Sequence, residues 1–231
     1  MEWQIVGGSA FPLIEMKLKK GHSIKADSGS MVAMSQGLKL TGKMDGGFGK
    51  ALARLFSGES FFMQNIVAED ADGWVLLASP VPGGITNIDI KPGQEMTVQK
   101  NGFLAGTEGV EVSTKAQSIV RGIFSGEGFF VVKLTGSGTA FLSTYGSIYT
   151  IDIPKGETVL IDNGHLLAWD SSLKYDITKA ADSWISAVTA GSGFGCRFYG
   201  PGRVLIQTRN PYAFGAWALP YIPFPRPTSS Q

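Results

Sequence analysis

Two nearly identical heptapeptides constrain the fold of this chain more than any other feature of its sequence. FSGESFF spans Phe56–Phe62 and FSGEGFF spans Phe124–Phe130, so six of seven residues agree at a spacing of 68. A weaker third copy, SGFGCRF, spans Ser192–Phe198 and keeps the Ser-Gly pair and the final Phe. Self-similarity at a long, regular spacing indicates one structural unit used several times. The sequence therefore predicts three related units.

A second block repeats ahead of each heptapeptide and has the alternation of β-strands. MKLKKG, IDIKPG and IDIPKG share the pattern apolar-x-apolar-x-x-Gly and end at Gly21, Gly93 and Gly156. Apolar residues follow each glycine at the third and fifth positions, and a small apolar pair (VA, LA and LA) comes shortly afterwards. Period-two alternation interrupted by glycine predicts half-buried strands joined by tight turns. We interpret the three glycines as structural or assembly positions.

The remaining segments complete a unit of about 60–70 residues. Short helical patterns separate the two blocks of each copy, at 49–56, 115–124 and 179–191. A pair of strands around a glycine turn follows each heptapeptide. The repeats run over residues 11–84, 85–147 and 148–209, and no Ser/Pro-rich linker separates them. We therefore expect an all-β fold with a few short helices, in which three repeats pack as one pseudo-threefold body.

The C-terminal segment 210–231 departs from the repeat. It interleaves Trp217, two Tyr and two Phe with five Pro. Its first part, Tyr212–Leu219, has the composition of a short helix, and the rest is typical of an extended polyproline segment. One interpretation is that the segment covers an open sheet edge. The other is that it anchors a partner protein, a neighbouring subunit or a membrane surface.

Composition supports a β-rich globule and favours no partner through overall charge. Glycine supplies 31 of 231 residues without a collagen period, which suits many tight turns. The net charge of +1 gives no general attraction to nucleic acid, and the lysines near the start lack interleaved aromatic residues. Residues 15–54 carry eight basic and three acidic side chains, whereas residues 57–127 carry four and nine. This asymmetry fits either two solvated faces or head-to-tail contact between copies.

Targeting signals are not visible in the sequence. The first twenty residues lack a basic region followed by an apolar one. The longest apolar candidate, Phe214–Pro225, has twelve residues and contains three prolines, so it is too short to span a bilayer. We expect a cytoplasmic protein, with peripheral association to a membrane as the alternative.

Sequence motifs for catalysis and cofactor binding are missing. The chain has no phosphate-binding loop, no G-x-S-x-G elbow and no H-E-x-x-H motif. His22 and His165 follow glycine turns at non-equivalent positions of the repeat, so we interpret them as surface residues and expect no metal centre. Cys196 occupies the place of an aromatic residue in the repeat and is interpreted as a small core residue. We predict no catalytic residue and no cofactor.

Acidic residues recur at matching positions and support a rival hypothesis. Gly58-Glu59 and Gly126-Glu127 occupy the same place in two repeats, with Gly193 in the third, and we interpret them as structural positions at which the carboxylates bind backbone amides. Asp89 and Asp152 also match, and Lys17 replaces them in the first repeat. Their alternation with isoleucines predicts outward-facing side chains. The rival hypothesis is a small-molecule or enzymatic site holding Glu59, Glu127 or Asp152 at a repeat junction or subunit interface.

The repeated G-E-x-F-F blocks, together with GFLA (Gly102–Ala105), GHLLAW (Gly164–Trp169) and GPGRVLIQTRNP (Gly200–Pro211), resemble the altered-inheritance-of-mitochondria protein 24 family. The resemblance covers about Phe11 to Pro211. It implies a fold similar to the tryptophan RNA-binding attenuation protein, with three double-stranded β-helix-like modules per chain that assemble into rings. The resemblance implies neither an enzymatic activity nor a cofactor, because none is accepted for the family. The mitochondrial members of the family are linked to inner-membrane organisation.

Residues and resemblance together predict a non-enzymatic scaffold or binding protein. A homotrimer of three-module chains would give a ring of nine modules. We expect this homo-oligomer to present β-rich faces, and the segment that contains Trp217, to a protein or membrane-surface partner. Nucleic acid is not expected as a partner, because no pattern of Lys and Arg repeats in all three copies.

Overall fold

The computed structural model of the protein describes residues 1–42, 63–115, 131–179 and 194–222. Within these ranges the chain is mostly β-strand, which confirms the all-β prediction. The nineteen strands of the described ranges are β1 (Glu2–Val6), β2 (Leu13–Leu18), β3 (Ser23–Asp27), β4 (Met31–Met34), β5 (Lys39–Gly42), β6 (Met63–Val67), β7 (Gly73–Ala78), β8 (Ile85–Ile90), β9 (Met96–Gln99), β10 (Phe103–Thr107), β11 (Val110–Lys115), β12 (Val131–Gly136), β13 (Gly138–Ser143), β14 (Ile148–Ile153), β15 (Thr158–Asp162), β16 (Leu166–Asp170), β17 (Lys174–Lys179), β18 (Phe194–Tyr199) and β19 (Gly202–Gln207). One α-helix, α1 (Pro211–Ala218), follows the last strand, and short 3-10 turns lie at Lys100–Gly102, Asn163–His165 and Leu219–Tyr221.

The same strand pairing occurs three times along the chain, always antiparallel. In the first unit (β2 to β7), β7 lies between β2 and β4, and β6 lies between β3 and β5. In the second unit (β8 to β13), β13 lies between β8 and β10, and β12 lies between β9 and β11. The third unit (β14 to β19) repeats this arrangement with β19 and β18 as the central strands. Each unit therefore supplies two three-stranded layers.

Alternation in the sequence produces strands with one buried face. In β2, Ile14, Met16 and Leu18 are at most 1% exposed, while Glu15 and Lys17 alternate with them on the other face. The turns after β2, β8 and β14 are closed by the repeated glycines, with φ of +86° at Gly21, +80° at Gly93 and +87° at Gly156. Residues that have a Cβ atom rarely adopt this left-handed backbone conformation, which explains why each repeat has glycine there.

Neighbouring units are joined edge to edge. β3 of the first unit pairs with β10 of the second, and β9 of the second pairs with β16 of the third, which produces two six-stranded sheets. The other two sheets have the strand orders β1-β2-β7-β4 and β15-β18-β17. In the described part of the chain, β4 and β15 are therefore the outer strands of separate sheets. A closed pseudo-threefold body would pair these two strands with each other. Because they lie in separate sheets, the closure of the body stays a prediction.

Each unit has its own hydrophobic core, and the cores of the first and second units are completed by the unit that follows. Leu104, Ala105 and Phe141 of the second unit belong to the core of the first. In the same way, residues of the third unit complete the core of the second, namely Leu167, Ala168 and Leu205. The interfaces between units are thus continuous with the cores, so these junctions contribute hydrophobic burial as well as strand pairing.

Several local predictions can be located in this fold. The glycine turns predicted after the heptapeptides are found at Asp72-Gly73, Gly136–Gly138 and Gly200–Gly202, where they connect β6 with β7, β12 with β13 and β18 with β19. The helix expected at Tyr212–Leu219 is α1. The helical segments at 49–56, 115–124 and 179–191 lie outside the described residues, apart from their first residues in the last two.

Candidate assembly interface

The two internal junctions use one register. At the first, Ala105 of β10 lies opposite Ala26 of β3, five residues after the turn glycine. At the second, Ala168 of β16 lies opposite Val98 of β9, again five residues after the turn glycine. The same positions of the repeat meet in both cases. Each repeat therefore contains the residues that form the junction.

A β-bulge supplies the residue that crosses each junction. The register of β10 against β13 shifts at Leu104, and that of β16 against β19 shifts at Leu167. A bulge re-aims the extra side chain. Both leucines are only 1% exposed and lie in the core of the preceding unit. Phe141 and Leu205, on the central strands, are buried with them at 0% and 4%.

The first unit has the same bulge but no unit in front of it. The register of β4 against β7 shifts at Val32, the equivalent of Leu104 and Leu167. The Val32 side chain is 56% exposed. On β7, Trp74 is 41% exposed and Leu76 is half-buried on the same outward side. This outer apolar face, Val32 with Leu76, corresponds to positions that are buried in the other two units, namely Leu104 with Phe141 and Leu167 with Leu205.

The third unit has the complementary open end. Along β15, Val159 is only half-buried, whereas the equivalent residues Ile24 and Met96 are 0% and 5% exposed. Leu160 is 47% exposed. Val159 packs against the core of the third unit. The open strand β15 therefore presents core residues that are only partly covered. The equivalent strands β3 and β9 would present theirs in the same way if the unit that follows them were removed.

Polar contacts distinguish the internal junctions from the open end. Lys25 Nζ donates to the Val110 carbonyl at 2.6 Å across the first junction. The hydroxyl groups of Thr97 and Ser171 lie 2.6 Å apart across the second. The equivalent position on β15 is Leu160, which has no polar side-chain atom. The open end thus favours an apolar contact at this position.

The remaining predicted site residues do not converge. Lys17, Asp89 and Asp152 are exposed and lie on β2, β8 and β14, which belong to three different sheets, so the prediction of outward-facing side chains is confirmed. Other predicted positions lie outside the described residues, namely Gly58, Glu59, Gly126, Glu127 and Gly193. Their structural roles, and the assembly role of Gly21, Gly93 and Gly156, stay predictions.

Cysteine and histidine provide no visible reactive centre in the described ranges. Cys196 is fully buried, as predicted, and burial raises the pKa of its thiol to about 12, with a smaller contribution from the Asp162 carboxylate. His22 is exposed, while His165 is half-buried with Nδ1 2.8 Å from the Gln207 carbonyl oxygen. No group of three metal-binding side chains occurs among the residues that the structure describes.

One cleft lies beside β14 and the start of β19. It has a volume of about 350 Å³ and is lined by Asp152, Ile153, Pro154, Asp170, Gly202 and Arg203. Asp170 Oδ2 accepts the backbone N–H of Arg203 at 2.8 Å. The cleft is wide open to solvent, and its charged side chains are those of Asp152, Asp170 and Arg203.

The segment after β19 exposes a row of aromatic rings. Asn210 begins α1, and its Oδ1 accepts the backbone N–H groups of Tyr212 and Ala213 at 2.9 and 3.2 Å. Ring contacts run from Tyr145 to Phe214 to Trp217 to Tyr221, with centroids 5.4 to 5.7 Å apart. Trp217 is nevertheless 63% exposed, and no residue of α1 is buried. No helix of the described residues is both long and apolar enough to cross a membrane.

Comparisons with known proteins agree with this fold. A family model described as mitochondrial biogenesis AIM24 matches residues 3–209. An uncharacterised protein of Streptococcus pyogenes serotype M6 is 32% identical over 231 residues, which covers 96% of this chain and 92% of that protein. The crystal structure of a Streptococcus pyogenes protein is similar with a TM-score of 0.80 and 29% identity, and the match covers 96% of this chain and 99% of that one.

Proposed function

The chain belongs to the mitochondrial biogenesis AIM24 family, and we propose that it is a non-enzymatic scaffold that assembles head to tail through β4 and β15. In this assembly, β15 of one copy pairs with β4 of the next. Three copies would form a homotrimeric ring of nine units. The ring would present its β-rich faces to a protein or membrane-surface partner, and the exposed rings of α1 supply a further contact surface.

The observation that supports this proposal is the different burial of one repeat position. Leu104 and Leu167 are 1% exposed, and their equivalent Val32 is 56% exposed. Monomeric proteins rarely leave contiguous apolar patches uncovered, and such patches mark contact surfaces. An outer strand with unpaired backbone groups is also a template for pairing with another chain. A second copy satisfies both requirements with contacts that this chain already makes twice.

The internal junctions define the register of the proposed contact. Ala105 and Ala168 each lie opposite the residue five places after a turn glycine. The equivalent pair at the open ends is Ala33 with Ile161, since Ile161 follows Gly156 by five. Met34 then lies opposite Leu160. Directly opposite residues have Cβ atoms about 5 Å apart in an antiparallel pair.

Cysteine pairs test the proposed contact. In the variant with Met34→Cys and Leu160→Cys, mild oxidation should produce disulfides between copies and a ladder that ends at the trimer. Each single substitution is the matched control and should give at most a disulfide dimer without a ladder. Native Cys196 is buried and should not contribute. A disulfide confined to the monomer would mean that each chain closes on itself, and no disulfide at all would contradict the contact.

Charge steering stays a separate hypothesis. Part of the basic stretch 15–54 lies outside the described residues, and the described strands β4 and β15 contain one charged residue, Asp162. An assembly through apolar strands should change little in mass between low and high salt. A steep loss of mass with salt would instead favour the attraction between residues 15–54 and 57–127.

A small-molecule binding protein is the second candidate, and the cleft at Asp152 favours it. Its volume of about 350 Å³ is at the lower end of the range for small-molecule sites. A thermal-shift screen of metabolites should find a compound that stabilises the wild type and fails to stabilise Asp152→Asn. A screen without any such compound would remove this candidate.

A further inference from the structure

The end of the third unit follows the path of a linker between units. Thr144–Ser147 connects β13 with β14, and Thr144 donates its backbone N–H to the Gly84 carbonyl at 3.1 Å. Thr208, at the end of β19, donates in the same way to the Ser147 carbonyl at 2.9 Å. The chain therefore leaves β19 as it leaves β13.

A second pair of hydrogen bonds also corresponds, with an offset of one residue between the two donors. Gly146 donates its backbone N–H to the Pro82 carbonyl at 3.0 Å, and Arg209 donates to the Tyr145 carbonyl at 3.2 Å. Gly146 is thus matched by Arg209 through this hydrogen bond, and by Asn210 when residues are counted from the ends of β13 and β19. After Gly146 the chain enters the next unit, whereas after Asn210 it turns into α1.

This equivalence places Asn210 near the start of another copy. Gly146 precedes Ile148, the first residue of β14, by two residues, and two Cα–Cα steps span at most about 7 Å. The equivalent of Ile148 in the first unit is Leu13, the first residue of β2. If one copy follows another as the third unit follows the second, Asn210 lies within about two residues' reach of Leu13 in the next copy.

The two segments that would meet there are both exposed and apolar. Phe11, two residues before β2, is 73% exposed, and Tyr212 is 60% exposed. The described segment Asn210–Ile222 contains no charged side chain. A helix that is apolar on all sides is normally covered by protein or lipid. A helix that lies on an anionic membrane usually has a Lys/Arg-rich polar face, which α1 lacks, so a protein surface is favoured.

We propose that α1 of one copy packs on the N-terminal segment of the next copy, with Tyr212 beside Phe11. This inference rests on the head-to-tail assembly proposed above and adds a second contact between the same two copies. The segment after β19 then takes the place of the covalent linker that joins the units within a chain. The occupant of the exposed aromatic surface is thus another copy of the protein.

Disulfide trapping tests this contact independently of the strand pairing. The variant with Phe11→Cys and Tyr212→Cys should form disulfides between copies. The matched control combines Tyr212→Cys with Trp74→Cys, an exposed aromatic position at the opposite end of the same sheet, about 13 Å from Leu13 along the strands. Two thiols that a contact holds side by side have an effective concentration in the millimolar range. At a micromolar protein concentration, the first pair should therefore form its disulfide about a hundredfold faster than the control.

The outcomes separate this inference from the assembly itself. Fast trapping of the Phe11 pair, with slow trapping of the Trp74 pair, supports the contact. Equal rates for the two pairs would overturn it, even where the cysteines at Met34 and Leu160 still crosslink. Failure of both the Phe11 pair and the Met34–Leu160 pair would overturn the contact and the assembly together. Binding of assembled wild type to phosphatidylcholine vesicles, with a blue shift of tryptophan emission that Trp217→Phe abolishes, would also overturn it by showing that α1 is free for lipid.

Discussion

The two internal junctions and the two open ends of this chain have the same repeat positions in different environments. Leu104 and Leu167 fill the core of the unit before them, while Val32 is 56% exposed at the equivalent bulge. Ile24 and Met96 are covered by the unit after them, while Val159 is only partly covered. The residues at these repeat positions are therefore fully covered only where another unit lies next to them.

The largest expected effect comes from a charge at the outer apolar face. In Val32→Glu, assembly would bury an unpaired carboxylate at about 3–5 kcal/mol, so association should weaken more than about a hundredfold. Light scattering should find the monomer, and circular dichroism should find an unchanged fold, since Val32 is exposed within the chain. Leu40→Glu, at another exposed apolar position on a strand, is the control and should assemble normally. Equal behaviour of the two variants would mean that the outer face is not a contact.

The next prediction compares equivalent positions within one chain. Leu167→Ala removes a side chain from the junction core and should lower the free energy of unfolding by about 2–5 kcal/mol. Val32→Ala should lower it by less than about 0.5 kcal/mol, as expected for an exposed site. Denaturant titrations would use the Leu160→Glu background, because a charge at this exposed position of β15 should also prevent assembly. Similar losses at both positions would show that the junctions and the open ends do not differ energetically.

Cys196 reports on the core of the third unit. Its thiol is buried with a pKa of about 12, so a thiol reagent at pH 8 should label the native protein slowly. Labelling should be faster in monomeric Val32→Glu, because no neighbouring copy then covers the open end. The rate in guanidinium chloride is the control and should be the same for both proteins. Equal native rates would contradict the covering of this unit by assembly.

The same thiol predicts a dependence of stability on pH. Its pKa is raised from 9.0 in the unfolded chain to about 12 in the folded one, so the folded state holds the proton more tightly between these values. The free energy of unfolding should be unaffected below pH 9 and should fall as the pH rises toward 12. Cys196→Ala should show a smaller fall between pH 9 and 11 in denaturant titrations. Parallel curves for both proteins would mean that the thiol is not buried in solution.

The smallest effect is expected at a surface ion pair of the first unit. Lys19 Nζ lies 2.8 Å from Asp72 Oδ2, and the hydrogen bond from Lys19 lowers the pKa of the Asp72 carboxyl below its ordinary value of 3.8. Both side chains are mostly exposed, so solvent screens the pair. Asp72→Asn should leave the melting temperature and the assembled mass unchanged at pH 7. A loss of assembly in this variant would show that charge on the first unit contributes to the contact.

The repeat allowed much of the fold to be predicted, because its residue types have direct local consequences. The alternation of apolar and polar residues predicted the strands. Gly21, Gly93 and Gly156 predicted the tight turns, in which each of these glycines has a positive φ. Strand β1 was not predicted, since Glu2–Val6 has no counterpart in the other units. The open ends were not predicted either. The sequence aligns Val32-Ala33 with Leu104-Ala105, but exposure depends on which unit lies next to the bulge, and that is a tertiary property.

The most direct test of head-to-tail assembly is the mass of the wild-type protein in solution. Size-exclusion chromatography with light scattering at micromolar concentration should give about three times the 24.6 kDa of one chain, without larger open-ended species. A single peak at 24.6 kDa, unchanged as the concentration rises tenfold, would contradict the account. The exposure of Val32 would then be a property of the free protein and not the mark of a missing neighbour.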